Sequence, residues 1–100
     1  MSSNPRNLPS RQKGALRVTI YTRPGCHLCE EARAAIEPLA REFGAELDEV
    51  NIDEDRELRE RYGLDIPVIF IGPRKVAKHR VNPGQLRRQL EEARARAKEA

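Results

Sequence analysis

Tryptophan is missing from the 100 residues, and two Phe and two Tyr are the only aromatics. A core built from this chain must be mostly aliphatic. Nucleic-acid stacking is disfavoured for the same reason, because no aromatics are interleaved with the basic residues. Long apolar runs are missing too. The longest, Ile66 to Ile71, contains Pro67 and falls far short of the ~18 residues of a membrane span, so no membrane partner is expected. Cysteine occurs only twice, which excludes a secreted scaffold held together by disulfides.

The first 17 residues contain no acid but carry Arg6, Arg11, Lys13 and Arg17; the net charge of +3 leaves the rest of the chain near neutral, at −1. Residues 1–14, with Pro5, Pro9 and several Ser and Asn, are too polar to order themselves and read as a disordered basic tail. They lack the apolar stretch of a secretory signal. The expected setting is the cytoplasm, with residues 15–100 forming one domain.

Within that domain, Leu16, Val18 and Ile20 alternate with polar residues as in a strand. Thr22-Arg23-Pro24-Gly25 reads as a turn. Ala32, Ala35, Ile36, Leu39 and Phe43 then recur at helical spacing from about Cys26, with Gly44 as the stop and a kink expected at Pro38. A second strand is expected over 46–53, with Val50 and Ile52 inward. The acids Asp53-Glu54-Asp55 suit the N-terminal end of a short helix that carries Leu58 and Tyr62. A β-branched strand runs from Pro67 to Ile71, and residues 75–81 return as an edge hairpin partner. Asn82, Pro83 and Gln85 mark the start of a last helix with the stripe Leu86, Leu90, Ala93, Ala97. Its arginines 87, 88, 94 and 96 read as a solvated face paired with Glu91, Glu92 and Glu99. The order is β-α-β-α-β-β-α, an α/β class.

Both cysteines stand in one motif, Cys26-His27-Leu28-Cys29, where a strand and turn give way to a helix. In a cytosolic protein this context reads as a thioredoxin-like redox pair. Free N–H groups and the dipole at the helix start favour a Cys26 thiolate, below the free value of ~8.5. Cys29 lies about one turn further on, within bonding reach and more covered. Cys26 is therefore the candidate attacking sulfur and Cys29 the resolving one. A zinc site would need a second half that is missing, since only His27 and His79 remain as soft ligands; no metal site is expected. His79 itself receives no role. At Ile66-Pro67 the residues alone leave two options open: a strand that begins with proline or a cis peptide bond.

The segment Val18–Cys29 resembles the active-site segment of glutaredoxins, and Ile66–Ile71 resembles their proline segment; the similarity extends from about Leu16 to Leu90. The resemblance implies a thioredoxin fold, with a four-stranded mixed sheet flanked by three helices. It implies thiol–disulfide oxidoreductase activity with no bound cofactor and with glutathione as a possible co-substrate. Pro67 would be the cis-proline facing the cysteines. Ile66 would offer its backbone to an extended cysteine-containing substrate, and Arg23 would hold a glutathione carboxylate. Expected partners are disulfide-containing proteins or glutathione, and a dithiol or glutathione-dependent reductant, acting on a monomer. Asp65 replaces the family's usual Thr with a charge that opposes an anionic tripeptide. Two other readings of the same cysteines are an iron–sulfur cluster held between two chains and a redox-regulated adaptor.

Overall fold

The computed structural model describes residues 16–99; the expected tail of residues 1–14 lies outside them. Strand β1 (Arg17–Thr22) is followed by helix α1 (His27–Phe43) and strand β2 (Glu46–Asn51). A single 3-10 turn (Ile52–Glu54) leads to the short helix α2 (Arg56–Tyr62). Strands β3 (Val68–Ile71) and β4 (Arg74–Lys78) form the hairpin, and α3 (Pro83–Glu99) closes the chain. The sheet order is β2-β1-β3-β4. β1 runs parallel to β2 and antiparallel to β3, and β3 is antiparallel to β4, so the sheet is mixed.

One face of the sheet carries the main core. Alternation along β1 sends Val18 and Ile20 to this face, and the antiparallel register sets Ile71 and Ile69 beside them. α1 supplies Ala32, Ile36, Leu39 and Ala40 at helical spacing, and α3 supplies Leu86 and Leu90. Each fully buried aliphatic side chain contributes roughly 1.5–3 kcal/mol. The other face carries the aromatics. Tyr21, Phe70 and Tyr62 of α2 meet with ring centroids 4.8, 5.4 and 6.4 Å apart, two of the three pairs edge to face.

The ends of the elements have local causes. Asn82 Oδ1 accepts from the Gln85 N–H at 2.9 Å, capping α3 where the sequence places the cap. Gly44 takes the left-handed conformation (φ 65°), which a glycine adopts without cost, and the next N–H, of Ala45, reaches back to the Ala40 carbonyl at 2.8 Å. α1 continues as one helix through Pro38, whose side chain faces solvent.

Four expectations change. β2 stops at Asn51 because the Asn51 side chain accepts the Asp53 N–H at 2.9 Å and turns the chain, leaving Ile52 in the 3-10 turn. Leu47 packs against the main core from β2, whereas Val50 lies in register with Tyr21 on the aromatic side. β4 ends at Lys78, short of Val81, where His79 takes φ 68°. The arginines of α3 also reach further than their own helix. Arg87 pairs with Glu42 of α1, and Arg94 lies 4.5 Å from the centre of the Phe43 ring. α3 packs alongside α1, so a long side chain at its rim meets the neighbouring helix.

Candidate active site

Every part of the site stands at one end of the sheet. The parallel register pairs Thr22 at the end of β1 with Asn51 at the end of β2. The antiparallel register pairs Tyr21 with Val68, which brings the Ile66-Pro67 segment beside the turn that leaves β1. That turn needs Gly25, which has φ 79°, a conformation costly for any residue with a Cβ.

Cys26 is the N-cap of α1, with extended dihedrals of φ −91° and ψ 111°. Its sulfur accepts the Cys29 N–H at 3.1 Å, in the place of a conventional capping oxygen. A sulfur held there faces the unpaired donors and the positive end of the helix, which stabilise a thiolate. Cys26 and Cys29 are joined as a disulfide with Cα atoms 5.2 Å apart. The two sulfurs differ in access: Cys26 is half-buried, and Cys29 is only 4 % exposed. Beside them opens a cleft of about 330 Å³, lined by Thr22, Arg23, Cys26, Cys29, Arg33 and Glu49 among others.

The Ile66–Pro67 peptide bond is cis. Pro67 is fully buried and Ile66 half-buried. Of the two options left open by the residues, the one implied by the glutaredoxin resemblance is present. Arg23 lines the cleft with Cys26, but its guanidinium is turned to Asp53, with Nε and Nη2 at 3.2 and 3.0 Å from the same carboxylate oxygen. Asp65, directly before Ile66, has Lys78 Nζ at 3.8 Å and His79 Nε2 at 3.9 Å. His27 is exposed.

Two contacts around the candidate residues were not evident from sequence. Asp53 reads there as a helix-start acid, and its pairing with Arg23 spans 30 positions. His79 donates its backbone N–H to the Pro67 carbonyl at 2.8 Å and places its ring on the Leu64 carbonyl at 3.1 Å. Nothing local signals either contact, because both depend on tertiary placement. Among the described residues no group of three or more His, Cys, Asp or Glu is arranged to hold a metal ion, and no helix is long and apolar enough to cross a membrane.

Comparison with known proteins agrees with this geometry. The family described as Glutaredoxin-like domain (DUF836) matches residues 17–91. A curated relative from Dictyostelium discoideum, "Glutaredoxin-like protein YDR286C homolog", is 30 % identical over 83 residues, covering 77 % of each chain. Among solved structures, the target protein XcR50 from X. campestris superimposes with a TM-score of 0.63 at 34 % identity, covering 75 % of this chain and 96 % of that one. Thioredoxin from Fasciola hepatica, at 22 % identity, shares the fold with a TM-score of 0.60 over 91 % of this chain and 92 % of its own. A thioredoxin fold with a Cys-x-x-Cys pair at the start of its first helix, and a family match over most of its length, make this chain a member of the glutaredoxin-like family.

Proposed function

We propose that the protein is a dithiol–disulfide oxidoreductase in which Cys26 attacks and Cys29 resolves. The observation that carries this reading is the unequal access of two joined sulfurs at a helix start: Cys26 half-buried and Cys29 covered. In the forward direction the Cys26 thiolate attacks one sulfur of a substrate disulfide. A Cys26–substrate disulfide forms, and the other substrate sulfur leaves as a thiolate that takes a proton from water. Cys29 then gives its proton to solvent, and its thiolate attacks the Cys26 sulfur. The Cys26–Cys29 disulfide forms and the second substrate thiol departs. Two electrons pass from the protein pair to the substrate, and an external dithiol or glutathione returns them.

Ile66 and Pro67 serve as the binding edge in this reading, with the Ile66 backbone pairing to an extended substrate segment. Charge at the site favours protein disulfides over glutathione as the substrate. Asp65 stands beside Ile66, and the Arg23 guanidinium is already paired to Asp53, so neither welcomes an added carboxylate. The test is a redox titration of the purified protein, with free thiols alkylated and counted by mass. One two-electron transition involving both cysteines, with a midpoint between about −270 and −180 mV, is expected of an exchange catalyst. Absence of an intramolecular disulfide at every poise overturns the proposal.

A further inference from the structure

His79 is the non-glycine residue with positive φ among those described (φ 68°). Histidine tolerates this region better than most residues, though at some cost. The kink turns the chain out of β4 and sends the imidazole back over the loop between α2 and β3. Two carbonyls are held as a result. The His79 N–H donates to Pro67 at 2.8 Å, and Nε2 lies 3.1 Å from the Leu64 oxygen. A carbonyl only accepts, so Nε2 carries the proton and donates. These carbonyls flank Asp65 and Ile66, the stretch that leads into the cis bond.

Core packing does not account for the second bond. The Leu64 side chain is 95 % exposed, so fixing its carbonyl buries almost nothing. The other side of the same peptide group is tied to α2, with the Asp65 N–H on the Tyr62 carbonyl at 2.8 Å. His79 also lines a small cleft of about 130 Å³ together with Leu28, the residue immediately before Cys29. The ring therefore sits where the loop after β4, the Ile66 edge and the first turn of α1 converge.

We propose that His79 is the positioning residue of the substrate edge: its imidazole holds the Leu64–Ile66 backbone in the shape against which an extended peptide disulfide pairs. The proposal rests on the exchange reading of Cys26 and Cys29. It also sharpens the substrate class. A peptide that adds a short strand at Ile66 depends on the shape of that edge, whereas a small disulfide meeting only the sulfurs does not.

The test uses two variants and two substrates. His79→Gly accepts the left-handed backbone and keeps the N–H bond to Pro67 but loses the ring. His79→Gln keeps an N–H donor at a reach similar to that of Nε2. Pre-reduced full-length protein is mixed with either a flexible peptide closed by one disulfide or bis(2-hydroxyethyl) disulfide, and single-turnover exchange is followed by alkylation and mass. His79→Gly is expected to raise the half-saturation concentration for the peptide about three- to tenfold, the range of one lost hydrogen bond. The limiting rate, the rate with the small disulfide and the midpoint potential stay at wild-type values, and the thermal midpoint falls by no more than the ~10 °C that one lost hydrogen bond accounts for. His79→Gln returns the half-saturation to within about twofold of wild type, since it restores the donor.

Four results overturn the inference. In the first, the peptide half-saturation does not change in His79→Gly. In the second, both substrates lose rate in proportion, the potential moves, or the thermal midpoint falls by more than the ~10 °C that one lost hydrogen bond accounts for, which marks a structural role only. In the third, His79→Gln folds normally without restoring the peptide. In the fourth, wild-type protein exchanges neither substrate, and the exchange reading falls together with this inference. When wild type exchanges both substrates and His79→Gly matches it, the inference alone falls.

Discussion

In the proposed exchange Cys26 uses one sulfur for two tasks, capping α1 and presenting the group that attacks. The bond from the Cys29 N–H ties these tasks together, because a negative sulfur is a stronger acceptor than a thiol. Replacing each cysteine by serine separates their roles. Cys26→Ser is expected to abolish exchange, whereas Cys29→Ser still forms the first mixed disulfide and accumulates it as a trapped adduct detectable by mass. Adducts on Cys29 in Cys26→Ser, with none on Cys26 in Cys29→Ser, would reverse the roles. Stability at the residue scale is set elsewhere, by side chains such as Ile36, which is fully buried between α1 and the sheet. Ile36→Ala removes that packing and leaves a cavity, at a cost of about 2–5 kcal/mol. In a domain this small, each kcal/mol lowers the thermal midpoint by roughly 4–8 °C, so a calorimetric midpoint within a degree or two of wild type would contradict the assigned core.

Among the elements, α2 is a short helix that relies on its cap. It has seven residues, none of them fully buried, and Asp55 Oδ1 accepts from the N–H groups of Glu57 and Leu58 at 2.9 and 3.2 Å. Asp55→Ala is expected to cost about 1 kcal/mol, and most of that loss should be local. Hydrogen exchange of the amides in 57–62 should accelerate, while β1 and β3 exchange at rates that follow the smaller change in global stability. Uniform acceleration through the sheet would show that α2 unfolds only with the whole domain. Elements whose signals are local were legible in the sequence: the alternation of β1, the helical spacing ended by Gly44, and the Asn82 cap with Pro83 behind it. Others end for reasons that lie outside local spacing. The apolar period of β2 continues through Ile52, but Asn51 folds back on the Asp53 N–H. Residues 75–81 read as one strand, yet β4 carries a register shift opposite Ile69 and Phe70 and stops where His79 is drawn to Pro67 and Leu64. The placement of Cys26 and Cys29 within bonding reach at the start of α1 was legible because it depends on neighbours in sequence. The partners of Arg23 and His79 were not, because tertiary structure brings them from 30 and 15 positions away.

For the whole molecule, α1 and α3 form a single layer over the sheet, joined in the core by Ile36, Leu39, Leu86 and Leu90 and at the rim by charge. The rim contact is Arg87 on Glu42, with Nη2 at 3.0 Å from Oε1 and a second bond beside it, a two-pronged arrangement that fixes both planes. The hydrogen bond from Arg87 is the main cause that lowers the Glu42 pKa below its ordinary value of 4.5, with the charges of Arg87 and Arg94 adding to it. Because the folded-state value is depressed, the pair stabilises the native protein above the unfolded-state pKa, and this contribution is lost as the pH falls through the folded-state pKa. Both side chains are exposed, so salt weakens the effect and the gain in stability is small. Arg87→Gln is therefore expected to raise the Glu42 titration, followed by carboxyl NMR, toward its ordinary value of 4.5. The stability difference between wild type and variant should be constant near neutral pH and narrow as the solution is acidified below about 4.5. Added salt should narrow it as well. Identical Glu42 titrations in the two proteins would show that the contact does not persist in solution, and the helix layer would then be held by its aliphatic seam and the Arg94–Phe43 contact.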